Sequence, residues 1–349
     1  MSLSDHRPPG AVCEVRRGGV VESRHFVHVA VTDSDGRLLL SAGDPFRPTF
    51  LRSATKPFQA LPFVELAHER SFRTEHIAIA CSSHGGTPEH VEAVAALARD
   101  ARVDLAWLQC GAHEPLDPAA ARALRRLGED ARPVHHNCSG KHVAMLALCV
   151  ARGWPTETYL ATSHPLQQAI LASITAAFGQ PPLHIAIDGC SAPTFAAPLA
   201  SAAHAFTRLL DTERIAPEDS ERSIRRAGVA MQTHPRMVAG PGRLDTFAME
   251  NVPDLVSKEG AEGVWLAACA TRAHGPVGMA LKVEDGAERA RSVTGLATLG
   301  ALGVLDPTAD PFAAWARPTL RNSAGLAVGE LVFELEDLTE RSASRRENE

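Results

Sequence analysis

Lysine is scarce in this sequence. Its 349 residues contain 35 basic side chains, of which four are lysines and 31 are arginines. Arginine stays protonated at any useful pH, whereas a buried lysine can lose its proton and act as a base, a nucleophile or a metal ligand. A chain that uses arginine for almost every cation should keep lysine mainly where a guanidinium cannot substitute. Three of the four, Lys56, Lys141 and Lys258, fall in motif-like segments, whereas Lys282 lies in MALKVED and receives no role.

Other absences narrow the class of protein. The net charge is −6, so there is no excess of basic residues for nucleic acid or an anionic membrane. No run approaches the roughly twenty apolar residues that span a bilayer, and MSLSDHRPPG at the N-terminus has no apolar signal-peptide core. Seven cysteines, an odd number in a long chain, favour reduced thiols over a disulfide framework. We therefore expect a cytoplasmic protein with no membrane or nucleic-acid partner.

Strand patterns occur near both ends of the chain, and helical patterns fill its middle. HFVHVAVT and RLLLSAG flank the turn signal DSDG, which predicts a hairpin. TPEHVEAVAALARD predicts a helix with Thr87 as N-cap and Pro88 at the first helical position. After Lys258, EGVWLAACATRA is predicted as a helix, followed by a strand, a helix and a last strand. The apolar run LHIAIDGC is expected to be buried and to deliver a loop to a site.

These patterns predict a single α/β (α+β) domain over residues 1–340, with a polar tail at 341–349. Its antiparallel sheet is expected to come from the N- and C-terminal parts, about residues 15–50 and 255–335. The part between them, about residues 53–253, is expected to be a large and mostly helical insertion. No internal repeat or Gly-rich dinucleotide-binding pattern is present.

The segment Ser53-Ala-Thr-Lys56 has the spacing of a serine nucleophile and its base. Residues three apart share one face of a helix, so the Ser53 hydroxyl can reach the Lys56 amine. A serine hydroxyl is a poor nucleophile until a neighbouring base takes its proton, and a neutral lysine can do so. Pro57 weakens the helical prediction at Lys56, because a residue before proline is biased away from helix.

A second hydroxyl-rich segment is Ser82-Ser83-His84-Gly85-Gly86, which follows an apolar run. Hydroxyls followed by glycines suit proton relay and oxyanion binding, although a turn with capping serines has the same pattern. Lys258, in SKEGAEG, is the next candidate, because small residues let a substrate approach its amine. A cation near Lys56 would lower the pKa of that amine, as would burial, and both effects favour a neutral base.

A metal site is the third candidate. Cys138-Ser-Gly-Lys141 has the spacing of half a zinc site in which lysine replaces the second Cys or His, and Cys190 would complete a Cys/Lys/Cys set. Two distant cysteines are otherwise common as buried core residues. Three neighbouring histidines are alternative ligands: His135, His136 and His142.

Six segments together resemble one family, the Rhizobium etli-type (class 3) L-asparaginases, also catalogued as asparaginase II. They follow in family order and span roughly residues 15–335: RSATKPFQALP (52–62), ACSSHGGTPEH (80–90), HHNCSGKHVAML (135–146), DGCSAPTFAAPL (188–199), THPRMVAGPGRLDT (233–246) and SKEGAEGVW (257–265). Each segment alone is weak, but together they are specific.

The resemblance implies the fold of serine β-lactamases and penicillin-binding proteins, usually as a homodimer, and hydrolysis of L-asparagine to L-aspartate and ammonia. It also implies two Ser-Lys pairs, Ser53 with Lys56 and Ser83 with Lys258; Ser83 is preferred to Ser82 because the family serine directly precedes the histidine. A Zn²⁺ ion that tunes substrate binding maps onto three residues: Cys138, Lys141 and Cys190.

A zwitterionic substrate needs an anion for its ammonium and a cation for its carboxylate. Asp188 and Arg52 are the candidates, with His142 and Asn137 as weaker ones. Three alternative functions stay open: a glutaminase or other small-amide hydrolase, a penicillin-recognising serine acyltransferase, and a zinc-stabilised binding module. The S-D-N and K-T-G elements of β-lactamases are absent, which argues against β-lactam chemistry.

Overall fold

The computed structural model describes residues 11–210, 219–334, 336 and 338–340. The polar N-terminal segment and the predicted tail at 341–349 lie outside the described residues. The chain divides into two compact units. The first comprises the described parts of Met1–Thr49, Pro198–Thr207 and Ala261–Glu349, and the second those of Phe50–Ala197 and Arg208–Gly260. The single domain over residues 1–340 stays a prediction.

Strands and helices are numbered in chain order. The strands are β1 (Ala11–Arg17), β2 (Val20–Asp33), β3 (Leu38–Ala42), β4 (Pro48–Phe50), β5 (His184–Ile187), β6 (Pro193–Pro198), β7 (Val256–Gly260), β8 (Val264–Thr271), β9 (Gly275–Val283), β10 (Thr319–Arg321), β11 (Ala327–Phe333) and β12 (Thr339–Glu340). The helices are α1 (Lys56–Gln59), α2 (Leu61–Glu69), α3 (Thr74–Ala80), α4 (Pro88–Ala101), α5 (Pro118–Leu127), α6 (Ser139–Arg152), α7 (Pro165–Phe178), α8 (Leu199–Thr207), α9 (Asp219–Thr233), α10 (Pro235–Val238), α11 (Leu244–Asn251), α12 (Glu288–Ala301) and α13 (Ala313–Ala316). Short 3₁₀ helices cover Arg52–Thr55, Leu105–Trp107 and Pro133–His135.

The first unit is built on an antiparallel sheet with the strand order β10-β11-β1-β2-β9-β8, and β3 pairs with both β2 and β12. The hairpin predicted around DSDG is confirmed as β2 and β3. Helix α8 approaches β9 so closely that a Cβ on Gly278 would collide with the carbonyl oxygen of Ala203. A Cβ on Gly295 of α12 would collide with the buried Trp265 ring. Sheet and helices together make a mixed α/β fold.

Two local predictions are wrong. EGVWLAACATRA was predicted as a helix but contains strand β8, whose residues 264–269 are all buried. A strand buried on both faces reads as a continuous apolar run and loses the alternation that marks a half-exposed strand. LHIAIDGC was expected to be buried, yet its strand β5 is largely exposed, with Ile187 65% accessible.

The second unit is mainly helical and contains all the candidate site residues. The 3₁₀ helix Arg52–Thr55 runs directly into α1, and Pro57 fits there because the first turn of a helix needs no N–H donor. Thr87 caps α4 as predicted, with Pro88 at the first helical position. Helix α6 passes α3 so closely that a Cβ on Gly140 would collide with the carbonyl oxygen of Ile79. Gly140, which lies between Cys138 and Lys141, therefore allows α6 to pack closely against α3.

Candidate active site

Lys56 lies at the centre of the candidate site. Its side chain is 1% exposed, and its Nζ lies 2.6 Å from the carbonyl oxygen of Ser82 and 2.9 Å from Ser83 Oγ. The Lys56 amine can donate both hydrogen bonds, and in its neutral form it can instead accept the Ser83 hydroxyl proton on its lone pair. The contact therefore places a hydroxyl where it can exchange a proton with Lys56.

The electrostatic surroundings also favour the neutral form of this amine. Burial lowers the pKa of Lys56 from the ordinary lysine value, since an ammonium is poorly solvated inside the protein. The Cys138 and Cys190 sulfurs oppose this shift, and the charges of Lys141 and Lys258 add to it. Among the described residues no carboxylate forms an ion pair with Lys56. The pKa of Lys56 is lowered because the two sulfurs do not outweigh burial and the two lysine charges.

Ser53 lies one turn before Lys56 and is half-buried. The backbone N–H of Lys56 donates to the Ser53 carbonyl, which places both residues on the same short helix. Within the described ranges no hydrogen bond joins Ser53 Oγ to Lys56, so the Ser53–Lys56 pair stays a prediction. The preceding residue, Arg52, has φ = 53°, a left-handed conformation that costs energy in a non-glycine residue.

Ser83 and Ser82 have different partners. Ser82 Oγ donates to the carbonyl of Ile79 at 2.7 Å, which is a local structural bond. Ser83 Oγ is the hydroxyl that contacts Lys56. The choice of Ser83 over Ser82 stays a prediction. No hydrogen bond in the described part of the chain joins Ser83 to Lys258, so their pairing also stays a prediction.

His84 holds the loop that carries Ser83. Its Nδ1 accepts the Gly86 N–H at 3.1 Å, and its Nε2 lies 2.9 Å from Ser139 Oγ. The Ser139 hydroxyl donates to the Val134 carbonyl, so the His84 Nε2–H donates to Ser139. Burial holds the pKa of His84 well below its usual range, which keeps the ring neutral. His84 is therefore a connector between the loop and α6.

Lys258, unlike Lys56, has an acid partner within the described part of the chain. Its Nζ lies 3.1 Å from Asp245 Oδ2 and 2.9 Å from the Glu259 carbonyl, and the Lys258 and Asp245 side chains are both fully buried. Asp245 also accepts from Ser257 Oγ at 2.9 Å and from the Glu259 N–H at 2.8 Å. The Asp245 carboxylate thus forms a buried ion pair with Lys258 and accepts two further hydrogen bonds. The two lysines thus have opposite environments.

Arg52 and Asp188 pair with each other. Arg52 Nε and one terminal nitrogen lie 2.8 and 2.7 Å from Asp188 Oδ1. Both side chains are partly accessible, at 26% and 13%. Asp188 Oδ1 also accepts the Gly189 N–H at 2.7 Å. The two residues predicted to bind the charged ends of a substrate are thereby brought to one place.

Cys138, Lys141 and Cys190 also come together. All three are buried, and Lys141 Nζ lies 3.5 Å from Cys190 Sγ. Contact with the Cys138 thiol lowers the pKa of Cys190, whereas contact with the negative Cys190 raises the pKa of Cys138. Burial would lower the pKa of Lys141, but the Cys190 and Cys138 sulfurs outweigh it and the pKa is raised.

The remaining candidates lie around this cluster. Asn137 Oδ1 accepts from Cys138 Sγ at 3.3 Å and lies 3.4 Å from His113 Nε2. His136 Nδ1 accepts the Cys138 N–H, and burial lowers its pKa to about 3. His135 Nδ1 accepts the Arg132 N–H. In both His135 and His136, Nδ1 is occupied by a local hydrogen bond from a backbone N–H.

Comparison with family models identifies the chain. The model described as L-asparaginase II matches residues 13–333 of the 349. The chain belongs to the L-asparaginase II family. A comparison with curated proteins finds no match. Membership of the asparaginase II family makes the protein an amidohydrolase that acts on a small molecule. Over the described residues no helix is long and apolar enough to cross a membrane.

In this asparaginase II chain, sequence reasoning missed Asp245. The residue lies in the segment THPRMVAGPGRLDT, which carries the family resemblance, but GPGRLD reads only as a Gly/Pro loop. The structure places Asp245 in the first turn of α11, against Lys258 of β7. An acid thirteen residues before a lysine has no characteristic spacing. The available signal was its position inside a family-matching segment.

Proposed function

We propose that this chain is a class 3-type L-asparaginase that hydrolyses L-asparagine to L-aspartate and ammonia through a serine acyl-enzyme. The observation that carries the proposal is the environment of Lys56. It is a buried lysine with no carboxylate partner among the described residues, hydrogen-bonded to Ser83 and one helical turn from Ser53. Such an amine can be neutral near pH 7 and can accept a hydroxyl proton.

Ser53 is the proposed nucleophile because its side chain is more accessible than that of Ser83, which is 4% exposed. Its Oγ bonds to the side-chain amide carbon of asparagine, and its proton passes to Lys56 Nζ. The C–N bond then breaks, and ammonia leaves with a proton that Lys56 returns through Ser83. Burial keeps the pKa of Lys56 low, and the nearby Lys258 charge adds to this effect. Water hydrolyses the aspartyl ester by the same proton route.

The N–H groups at the start of the 3₁₀ helix are the proposed oxyanion donors. The first N–H groups of a helix have no acceptor within it, and that of Ser53 belongs to this set. The Gly86 N–H, the other candidate, already donates to His84 Nδ1. Arg52 and Asp188 are the proposed partners of the substrate carboxylate and ammonium. A bound zwitterion would replace part of the Arg52–Asp188 ion pair, because each side chain would then contact the oppositely charged end of the substrate.

The family resemblance extends the proposal beyond the site. We propose the serine β-lactamase and penicillin-binding-protein fold, a homodimer and a cytoplasmic location. The antiparallel sheet formed from both ends of the chain and the mainly helical part from 50 to 260 are compatible with that fold. L-Asparagine is the proposed substrate of the site.

A Zn²⁺ ion held by Cys138, Lys141 and Cys190 is part of the proposal. Two sulfurs in contact, one with a lowered pKa, are donors that suit zinc. Among the described residues no group of three or more His, Cys, Asp or Glu side chains could hold a metal ion, so the site depends on Lys141 as its nitrogen ligand. When bound, the ion would supply a fixed positive charge that tunes substrate binding. Lys141 must release its proton to bind.

Metal content tests this site. Elemental analysis of untagged protein should find about one zinc ion per chain. Cys190→Ala should lose the metal, because it removes the sulfur with the lowered pKa. Cys149→Ala, a matched change at a buried thiol of α6 outside the set, should retain it. Protein without zinc whose Cys138 and Cys190 react freely with a thiol reagent would rule out the site.

Trapping the covalent intermediate tests the proposed function. Protein quenched in acid during turnover of L-asparagine should carry an aspartyl ester on the peptide that contains Ser53. Ser53→Ala should abolish the ester, and Ser82→Ala should retain it because the Ser82 hydroxyl serves only a local bond. An ester on Ser83 would reverse the roles of the two serines. Ammonia release without an ester on either serine would contradict the acyl-enzyme.

The same assay separates the alternative activities. Ammonia release from L-asparagine should greatly exceed release from L-glutamine, and a fluorescent penicillin should leave the protein unlabelled. Preferred release from glutamine would indicate a glutaminase, and labelling of Ser53 would indicate a penicillin-recognising acyltransferase. A binding module would release no ammonia while a chelator lowers its melting temperature.

A further inference from the structure

The one tyrosine of the chain contacts the candidate metal site through His142. Tyr159 is fully buried, and its hydroxyl has two polar neighbours. The backbone N–H of Gln109 donates to the phenol oxygen at 3.0 Å, and His142 Nδ1 lies 2.7 Å from the same oxygen. The two rings meet edge to face, with centroids 5.7 Å apart.

The direction of the short bond follows from counting protons. The Gln109 N–H can only donate, so the phenol oxygen accepts there. Within the described ranges, the acceptor available to the phenol proton is His142 Nδ1. Burial raises the pKa of Tyr159, so the phenol keeps this proton. Tyr159 therefore donates to His142.

The tautomer of His142 is then fixed. A ring nitrogen that accepts the phenol proton carries no proton of its own, so the His142 ring has a single proton. Because Nδ1 accepts from Tyr159, that proton is on Nε2. Nε2 is buried and makes no hydrogen bond of good geometry with the described residues. The Cys190 sulfur lies within hydrogen-bonding reach of the His142 side chain.

We propose that Tyr159 is a positioning residue that locks His142 with its proton on Nε2, so that His142 donates to the Cys190 sulfur and does not bind the metal. An Nε2 that carries a proton has no lone pair for a metal, and Nδ1 is occupied by the phenol. A donor aimed at a thiolate reduces the charge on the sulfur and orients it. The consequence for the metal rests on the proposed zinc site, whereas the tautomer does not.

Nitrogen NMR of the full-length protein, labelled with ¹⁵N-histidine, tests the tautomer without an activity assay. His142→Gln assigns the His142 signals. The wild-type ring should show an unprotonated Nδ1 and a protonated Nε2, both before and after addition of Zn²⁺. A proton on Nδ1 would show that the phenol accepts, and loss of the Nε2 proton on adding Zn²⁺ would make His142 a ligand. Either result overturns the proposal.

Tyr159→Phe removes the hydroxyl and retains the ring. It should allow His142 to populate both tautomers and weaken zinc affinity about tenfold in a chelator competition, as expected for loss of an outer-shell partner. An unchanged tautomer in this variant would overturn the positioning role of Tyr159. If the variant does not fold, ¹³Cζ-labelled tyrosine gives one wild-type signal, because the chain has one tyrosine. That signal should shift in His142→Gln, and an unchanged signal would contradict the Tyr159–His142 bond.

Failure of this proposal is distinguishable from failure of the proposed function. A protein that releases ammonia from asparagine but carries the Nδ1–H tautomer retains its function and loses the Tyr159 role. A protein that carries the Nε2–H tautomer but has no asparaginase activity retains the Tyr159 role and loses the proposed function.

Discussion

Replacing Lys56 by arginine is expected to lower turnover of L-asparagine by about 10²- to 10⁴-fold, the range typical for loss of a general base. Arginine preserves the positive charge and the approximate length of the side chain, but it does not give up its proton at usable pH. The Ser83 hydroxyl would then face a permanent cation, and no base would accept the proton of Ser53. Steady-state ammonia release measures the loss.

Lys282→Arg is the matched control. Lys282 lies on β9, half-buried, and its Nζ donates to the Glu262 carbonyl, so the same chemical change occurs in the first unit, which contains none of the candidate site residues. The control should keep wild-type turnover. If Lys56→Arg retains turnover within about tenfold of wild type, Lys56 is not the proton acceptor.

Asp245→Asn is expected to destabilise the protein by about 3–5 kcal/mol, the usual cost of leaving one member of a buried ion pair without its partner. The substitution keeps the shape of the side chain and removes the charge that stabilises the Lys258 ammonium. Asparagine also offers one carbonyl oxygen where the carboxylate serves donors from Ser257, Lys258 and the Glu259 backbone. The free energy of unfolding in urea measures the effect.

A double-mutant cycle with Lys258→Met separates the ion pair from general packing. Removing both charges should cost less than the sum of the two single changes, because neither charge is then left alone. Asp254→Asn, at an exposed aspartate in the same region, should leave stability unchanged. Additive single effects would contradict the pairing of Asp245 with Lys258.

Local signals predicted part of the fold well. The DSDG hairpin and the cap at Thr87 depend on a few adjacent residues, and both are confirmed. Strand β8 was mistaken for a helix because its burial comes from distant parts of the chain and erases the alternation on which strand prediction depends. Contacts with distant parts of the chain, and not the local sequence pattern, make β8 a strand.

In the candidate site, too, sequence patterns account for some of the contacts and not for others. Motifs drew attention to residues that the structure brings into contact, namely Lys56 with Ser83, Arg52 with Asp188, and Lys141 with Cys190. The partner of Lys56 differs from the one that sequence spacing suggests. Spacing i, i+3 links Ser53 to Lys56, but a loop from another part of the chain delivers the hydroxyl that Lys56 contacts. Asp245 had no spacing signal at all.

The protonation state of Lys56 is the central claim, and the scarcity of lysine makes it directly measurable. Full-length protein labelled with ¹³Cε-lysine has four lysine signals, which lysine-to-arginine variants assign one by one. In a pH titration the Lys56 signal should change well below the ordinary lysine pKa of about 10.4, with kcat/KM rising as pH rises through the same pKa. A Lys56 signal that titrates at or above that ordinary value would contradict the account.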